Sequence, residues 1–129
     1  MNLKFLIVDD SVTMRRIVIN SLASLNFKDY VEASDGNEAL VKLEENPDIN
    51  FVITDWNMPN MTGIDLVKAI RTSEKFNHLA VLMVTTRGLK EDIIEALKAG
   101  VNNYILKPFT PATLKEKIEQ ILSSKNVEG

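Results

Sequence analysis

Two hydrophobic periodicities alternate along the chain. Runs of apolar and β-branched residues, too short for an ordinary helix, read as strands at 3–8, 30–33, 51–55, 79–84 and 104–106. Between them apolar residues return at spacings of three and four, the stripe by which a helix faces a core. These stripes are Met14, Ile17, Val18, Leu22 and Leu25; Ala39, Leu40 and Leu43; Ile64, Val67 and Ile70; Ile93, Ile94 and Leu97; and Leu114, Ile118, Ile121 and Leu122.

Punctuation agrees with that segmentation. Asp10 or Ser11 is placed to cap the first helix, Asp35 with Glu38 forms a capping box for the second, and Thr62 caps the third. Gly100 falls where the fourth helix needs a left-handed C-cap, with Lys98 in its last turn. Thr110 caps the fifth, and Pro111 occupies its first position, where a missing N–H costs nothing. Pro47 closes the second helix and Pro59 forbids continuation of the third strand. Five strand-then-helix units in about 120 residues imply a doubly wound parallel sheet with right-handed crossovers and helices on both faces.

Composition narrows the picture. The 129 residues fit one domain, expected over 1–125 with a tail at 126–129 and no output domain; the polar stretch 123–129 is expected to fray. There is no cysteine, which removes disulfides, thiolate metal sites and cysteine nucleophiles and suits a reducing compartment. The apolar stretch 3–8 is too short for a signal-peptide core, and nothing approaches the ~20 apolar residues of a membrane span. A net charge of −3 argues against nucleic acid as the main partner. A cytoplasmic monomer follows as the expectation.

The chemistry lies at the carboxyl ends of the strands, where an open parallel sheet leaves its ligand crevice. Those ends read Asp9 and Asp10, then Asp55, then Thr85, then Lys107. Three carboxylates against one ammonium would repel one another unless a divalent cation offset them, and magnesium, with its preference for oxygen ligands, is the natural candidate. A carboxylate beside magnesium, an ammonium and a hydroxyl can attack a phosphoryl group in line and become an acyl phosphate. The five glycines are scattered, so a phosphate-cradling glycine loop has no support. Taken singly these residues have plainer readings: Asp10 as a helix cap, Thr85 as a strand end, Lys107 as a solvated charge, Tyr104 as an edge aromatic. Trp56 reads as a partly exposed aromatic, His78 as incidental, and Arg15 with Arg16 and the 115–117 run as solvated helix faces.

Together the motifs resemble the receiver domains of two-component response regulators, and among them the single-domain chemotaxis regulators. The similarity rests on residues 5–10, 13–18, 55–61, Thr85 and 104–110, including Asp55-Trp56-Asn57-Met58-Pro59 and Lys107-Pro108-Phe109-Thr110. It implies a flavodoxin-like (βα)5 fold with strand order 2-1-3-4-5 and a cis Lys107–Pro108 bond. It further implies phosphorylation of Asp55 by a CheA-like histidine kinase, magnesium held by Asp9, Asp10, Asp55 and the Asn57 backbone carbonyl, and phosphoryl contacts from Thr85 and Lys107. Activity would be that of a switch with intrinsic autodephosphorylation only, with a phosphatase as a further partner.

The same resemblance implies that Thr85 shifts towards the phosphoryl group, Tyr104 turns inward, and a face made by the fourth helix, fifth strand and fifth helix binds the flagellar switch protein FliM. Positions matching that face are Lys90, Ile93, Tyr104, Leu106, Phe109 and Lys117. Thr86 and Arg87 depart from the common pattern and are expected to overhang the acyl phosphate, altering access of the attacking water. A phosphorelay carrier and a phosphate sink without motor output are the competing readings. An aspartyl-phosphate phosphohydrolase would place its nucleophile on the first strand with Asp-x-Asp spacing, unlike the adjacent Asp9-Asp10.

Overall fold

The three central strands form because their residues can be buried on both faces at once, and the two outer ones pair along their edges. The computed structural model describes residues 2–128, with side chains through Ser124. In chain order it contains β1 Phe5–Val8, α1 Val12–Ser24, β2 Tyr30–Ala33, α2 Gly36–Glu45, β3 Phe51–Thr54, α3 Gly63–Thr72, β4 Ala80–Thr85, α4 Lys90–Ala99, β5 Asn103–Leu106 and α5 Pro111–Glu128. The strands pair in parallel in the order β2-β1-β3-β4-β5. The doubly wound architecture and strand order are therefore as expected, and the Lys107–Pro108 peptide bond is cis.

Because successive strand residues point to opposite faces, the sheet divides the core in two. Phe5, Ile7, Phe51, Ile53, Leu82 and Val84 pack against Val18 and Leu22 of α1 and Leu114, Ile118 and Ile121 of α5. Leu6, Val8, Val52, Val81 and Met83 pack against α2, α3 and α4 through Ala39, Leu43, Leu66, Val67, Ile70 and Ala96. With β1, β3 and β4 buried along their whole length, the polar residues that follow them are held on a rigid base.

The caps behave as their chemistry requires. Ser11, not Asp10, caps α1 by accepting the Met14 N–H at 3.2 Å, Asp35 accepts that of Glu38 at 2.8 Å, and Thr62 accepts that of Asp65 at 3.2 Å. Thr110 accepts the Thr113 N–H at 3.2 Å, and Gly100 takes the left-handed conformation with φ of 119°.

Four expectations are corrected. Ile17 lies on the outer side of α1, whose buried residues are Val18, Ser21 and Leu22. On α4 the inner residues are Asp92 and Ala96, leaving Ile94 and Leu97 exposed at 41% and 52%. The small Ala96 side chain lets the helix approach the sheet, and the larger residues one step round the helix are turned out. Trp56 is buried rather than partly exposed. The 123–128 stretch is helical: α5 continues through Glu128, since no proline or glycine interrupts it before Gly129, which lies outside the described residues. No helix among the described residues is long and apolar enough to cross a membrane.

Candidate functional site

The register of the central strands brings the acids together. Val8 of β1 pairs with Thr54 of β3, so the next residues, Asp9 and Asp55, emerge side by side; the Asp55 N–H donates to the Val8 carbonyl at 3.0 Å. Thr85 ends β4 and its carbonyl accepts the Lys107 N–H at 2.9 Å, which places Lys107 just beyond β5. The loop after Asp55 is folded back tightly. Gly63 at the start of α3 donates to the Trp56 carbonyl at 2.8 Å, and a Cβ at Gly63 would collide with the Asp55 carbonyl oxygen.

Carboxylate oxygens of Asp9, Asp10 and Asp55 lie within 4.8 Å of one another. Lys107 Nζ bridges two of them, at 3.1 Å from Asp9 Oδ2 and 3.3 Å from Asp55 Oδ2. All three of these side chains are nearly buried, while Asp10 is exposed. The remaining oxygens are also oriented: Asp9 Oδ1 accepts the Ser11 N–H at 2.9 Å and Asp55 Oδ1 accepts the Trp56 N–H at 2.6 Å. One ammonium facing three carboxylates leaves the rim short of positive charge. An all-oxygen donor set with that deficit fits a hard divalent cation such as magnesium.

Two further groups hold the rim. Arg15 donates from Nη1 to the Asp9 carbonyl at 2.6 Å and from Nε to Glu32 at 2.9 Å, so it is a structural brace and not a solvated charge. Arg87 stacks its guanidinium 4.3 Å from the centroid of the Trp56 ring, and reaches Asn57 Oδ1 at 3.4 Å and Asp92 Oδ1 at 3.3 Å. Its own N–H donates to Thr85 Oγ1 at 3.3 Å. Asn57 is exposed beside Asp55. Thr86 is exposed and lines a shallow apolar depression with Met14, Ile17, Lys107, Pro108 and Phe109.

Tyr104 is half-buried, and its hydroxyl donates to the Arg87 carbonyl. The ring packs against the core on the side of α2, α3 and α4, and Lys107 pairs with Asp55. Burial, reinforced by Asp92 and opposed by Arg87, pushes the phenol up to about 12. Of the other positions matched to the partner face, Lys90 and Leu106 are exposed, and Ile93, Phe109 and Lys117 are half-buried. They lie on α4, β5, the β5–α5 connection and α5.

Sequence reasoning missed Arg15, Asp92 and Arg71. Arg71 donates to the carbonyls of Gly100, Asn77 and Leu79 and to Asn102 Oδ1, at 2.6–2.9 Å, at the edge opposite the acids. Burial lowers its pKa from the usual arginine value. A charged residue inside a helical stripe was the available signal in the case of Asp92: it falls four residues before Ala96, on the face that α4 buries.

The response regulator receiver domain model matches residues 5–119. The chain is 58% identical over 120 residues to the chemotaxis protein CheY-3 of Vibrio cholerae, covering 93% of this chain and 92% of that protein. It is 53% identical over 124 residues to the chemotaxis protein CheY1 of Helicobacter pylori, covering 96% of this chain and all of that one. A solved CheX–CheY–BeF3–Mg complex from Borrelia burgdorferi contains a similar chain, with a TM-score of 0.86 and 29% identity, covering 93% of this chain and 89% of that one.

Proposed function

The chain belongs to the response regulator receiver domain family, and from that premise we propose that it is a phosphorylation-activated switch of bacterial chemotaxis. The observation that carries this reading is the Lys107 ammonium bridging Asp9 and Asp55 within a cluster of three carboxylates. In this reading a carboxylate oxygen of Asp55 attacks the phosphorus of a CheA-like kinase's phosphohistidine. The O–P bond forms as the N–P bond breaks, and the departing imidazole takes a proton.

Magnesium, when bound by Asp9, Asp10, Asp55 and the Asn57 backbone carbonyl, supplies charge neutralisation at the reacting oxygens. Lys107, already within reach of Asp55, passes its hydrogen bond to a phosphoryl oxygen. The Thr85 hydroxyl accepts from the Arg87 N–H, which leaves its own proton to donate to another. Hydrolysis of the acyl phosphate by water resets the switch. Thr86 and Arg87 flank that approach.

The output is docking of the flagellar switch protein FliM on the face formed by α4, β5 and α5, through Lys90, Ile93, Tyr104, Leu106, Phe109 and Lys117. Two charge-assisted hydrogen bonds of roughly 1.5–3 kcal/mol each give about 3–6 kcal/mol, and because Lys107 is paired with Asp55 beforehand its differential share falls below that, short of the ~5.5 kcal/mol that takes a 1:99 equilibrium to 99:1; a mixture is left that the partner completes. A phosphatase partner is supported by the related chain solved together with CheX. The protein works in the cytoplasm as a monomer.

Magnesium-dependent labelling by acetyl phosphate tests the reading. The parent protein labels and then binds a FliM peptide, whereas Asp55→Ala does neither. Labelling of Asp55→Ala equal to the parent overturns the phosphoacceptor assignment, and labelling without peptide binding favours a phosphate sink.

A further inference from the structure

Arg87 is fixed at its backbone and loosely held at its tip. The N–H donates to Thr85 Oγ1 at 3.3 Å and the carbonyl accepts the Tyr104 hydroxyl, so the main chain is tied to both neighbours. The guanidinium makes two hydrogen bonds, at 3.3 and 3.4 Å, both at the long end of the useful range. Its side chain is 39% exposed, whereas its partner Asp92 is only 13% exposed. Among the described ion pairs, Arg87 is the cation that Asp92 meets. The ring under the guanidinium belongs to Trp56 and the amide beside it to Asn57, the two residues that follow Asp55.

We propose that Arg87 is a positioning strap shared between α4 and the phosphoacceptor rim: it holds Asp92 in the resting protein and passes to the phosphoryl oxygens once Asp55 is modified. This rests on the phosphoacceptor reading of Asp55. Phosphorylation replaces a monoanion with a more highly charged group bearing three acceptor oxygens, and a planar guanidinium matches such a group better than it matches one edge of a carboxylate. Asp92 tolerates the loss because it lies in the first turn of α4, where the helix dipole favours an anion. The consequence is mechanical. The first turn of α4, which bounds the proposed partner face, is tied to the rim in one state and released in the other.

A double-mutant cycle separates the strap from simple charge effects. Beryllofluoride, with magnesium in constant excess, serves as the phosphoryl mimic, and calorimetry gives the midpoint for the parent, D92N, R87A and R87A/D92N proteins. Releasing Arg87 from Asp92 lowers the midpoint of D92N by about two- to fivefold relative to the parent, and the same D92N change has no effect in the R87A background. An equal D92N shift in both backgrounds means Asp92 acts only through its own charge, and no shift in either means that freeing Arg87 from Asp92 brings nothing to the phosphoryl mimic; both overturn the strap. If the parent itself does not bind the mimic, the phosphoacceptor reading fails first. Normal binding by the parent with a flat cycle removes the strap alone.

Discussion

Lys107 Nζ stands 3.3 Å from Asp55 Oδ2, and the two residues are 52 positions apart in the chain. The contact exists because β3 and β5 flank β4 and release these residues at the same edge of the sheet. Replacing Lys107 by Ala removes the cation aimed at the phosphoryl oxygens without removing the nucleophile. Acetyl-phosphate labelling of that variant should slow by about 10²- to 10³-fold, the usual effect of losing one electrostatic stabiliser, while Asp55→Ala should not label at all. Labelling of Lys107→Ala at the parent rate would show that the ammonium serves only the resting carboxylates.

Magnesium should stabilise the fold, because bringing Asp9, Asp10 and Asp55 within 4.8 Å leaves repulsion that one lysine does not cancel. A cation present at about 100 times its dissociation constant contributes about 2.7 kcal/mol by mass action. Thermal midpoints with magnesium and with chelator should therefore separate in the parent. The separation should shrink in Asp10→Asn, whose exposed side chain can be changed without disturbing the core. An unchanged separation would remove Asp10 from the ligand set.

The rim was legible in the sequence because strand ends follow from two periodicities, and every strand that carries a rim residue was visible as an apolar run. The orientation of α4 was not. A stripe of Ile93, Ile94 and Leu97 satisfies helical spacing, yet the buried residues are Asp92 and Ala96, a choice made by packing distance and by the Arg87 contact across the loop. Arg15 and Arg71 were illegible for a related reason: each holds backbone carbonyls, which carry no residue-type signal, and their side-chain partners Glu32 and Asn102 are distant in sequence.

That difference has a measurable consequence. Leu97→Ala, at an exposed position, should change stability by no more than about 0.5 kcal/mol, whereas Leu66→Ala, fully buried in α3, should cost about 2–5 kcal/mol. Urea midpoints of the two variants decide it. A large loss in Leu97→Ala would restore the orientation that periodicity alone suggested.

Tyr104 provides a pH test. Its phenol is pushed up to about 12 from an ordinary value of 10.0, chiefly by burial. Between those values the unfolded chain has released this proton and the folded chain has not, so folding stability is retained below about pH 10 and falls as pH rises towards the folded value. Tyr104→Phe removes that contribution: its stability should decline less steeply over this window, and the highest component of the phenolate absorbance titration should vanish. Identical alkaline slopes in the two proteins would mean that the hydroxyl is open to solvent and not held by the Arg87 carbonyl.

Gly63 ties the start of α3 to the acceptor. Its N–H bonds the Trp56 carbonyl at 2.8 Å, and any side chain there would meet the Asp55 carbonyl oxygen, a backbone atom with no rotamer in which to retreat. Gly63→Ala must push the Asp55-Trp56 segment or the first turn of α3 away. A cost of about 1–3 kcal/mol is expected for such overpacking, together with slower acetyl-phosphate labelling, because Asp55 moves relative to Lys107 and Asp9. Gly36→Ala is the useful comparison, since the added Cβ there also clashes, with Met61 Cβ, Cγ and Sδ at 2.6–2.8 Å, but meets no atom of Asp55. Loss of stability in both variants with labelling impaired only in Gly63→Ala would place the effect in the acceptor loop, and equal labelling in the two would refute it.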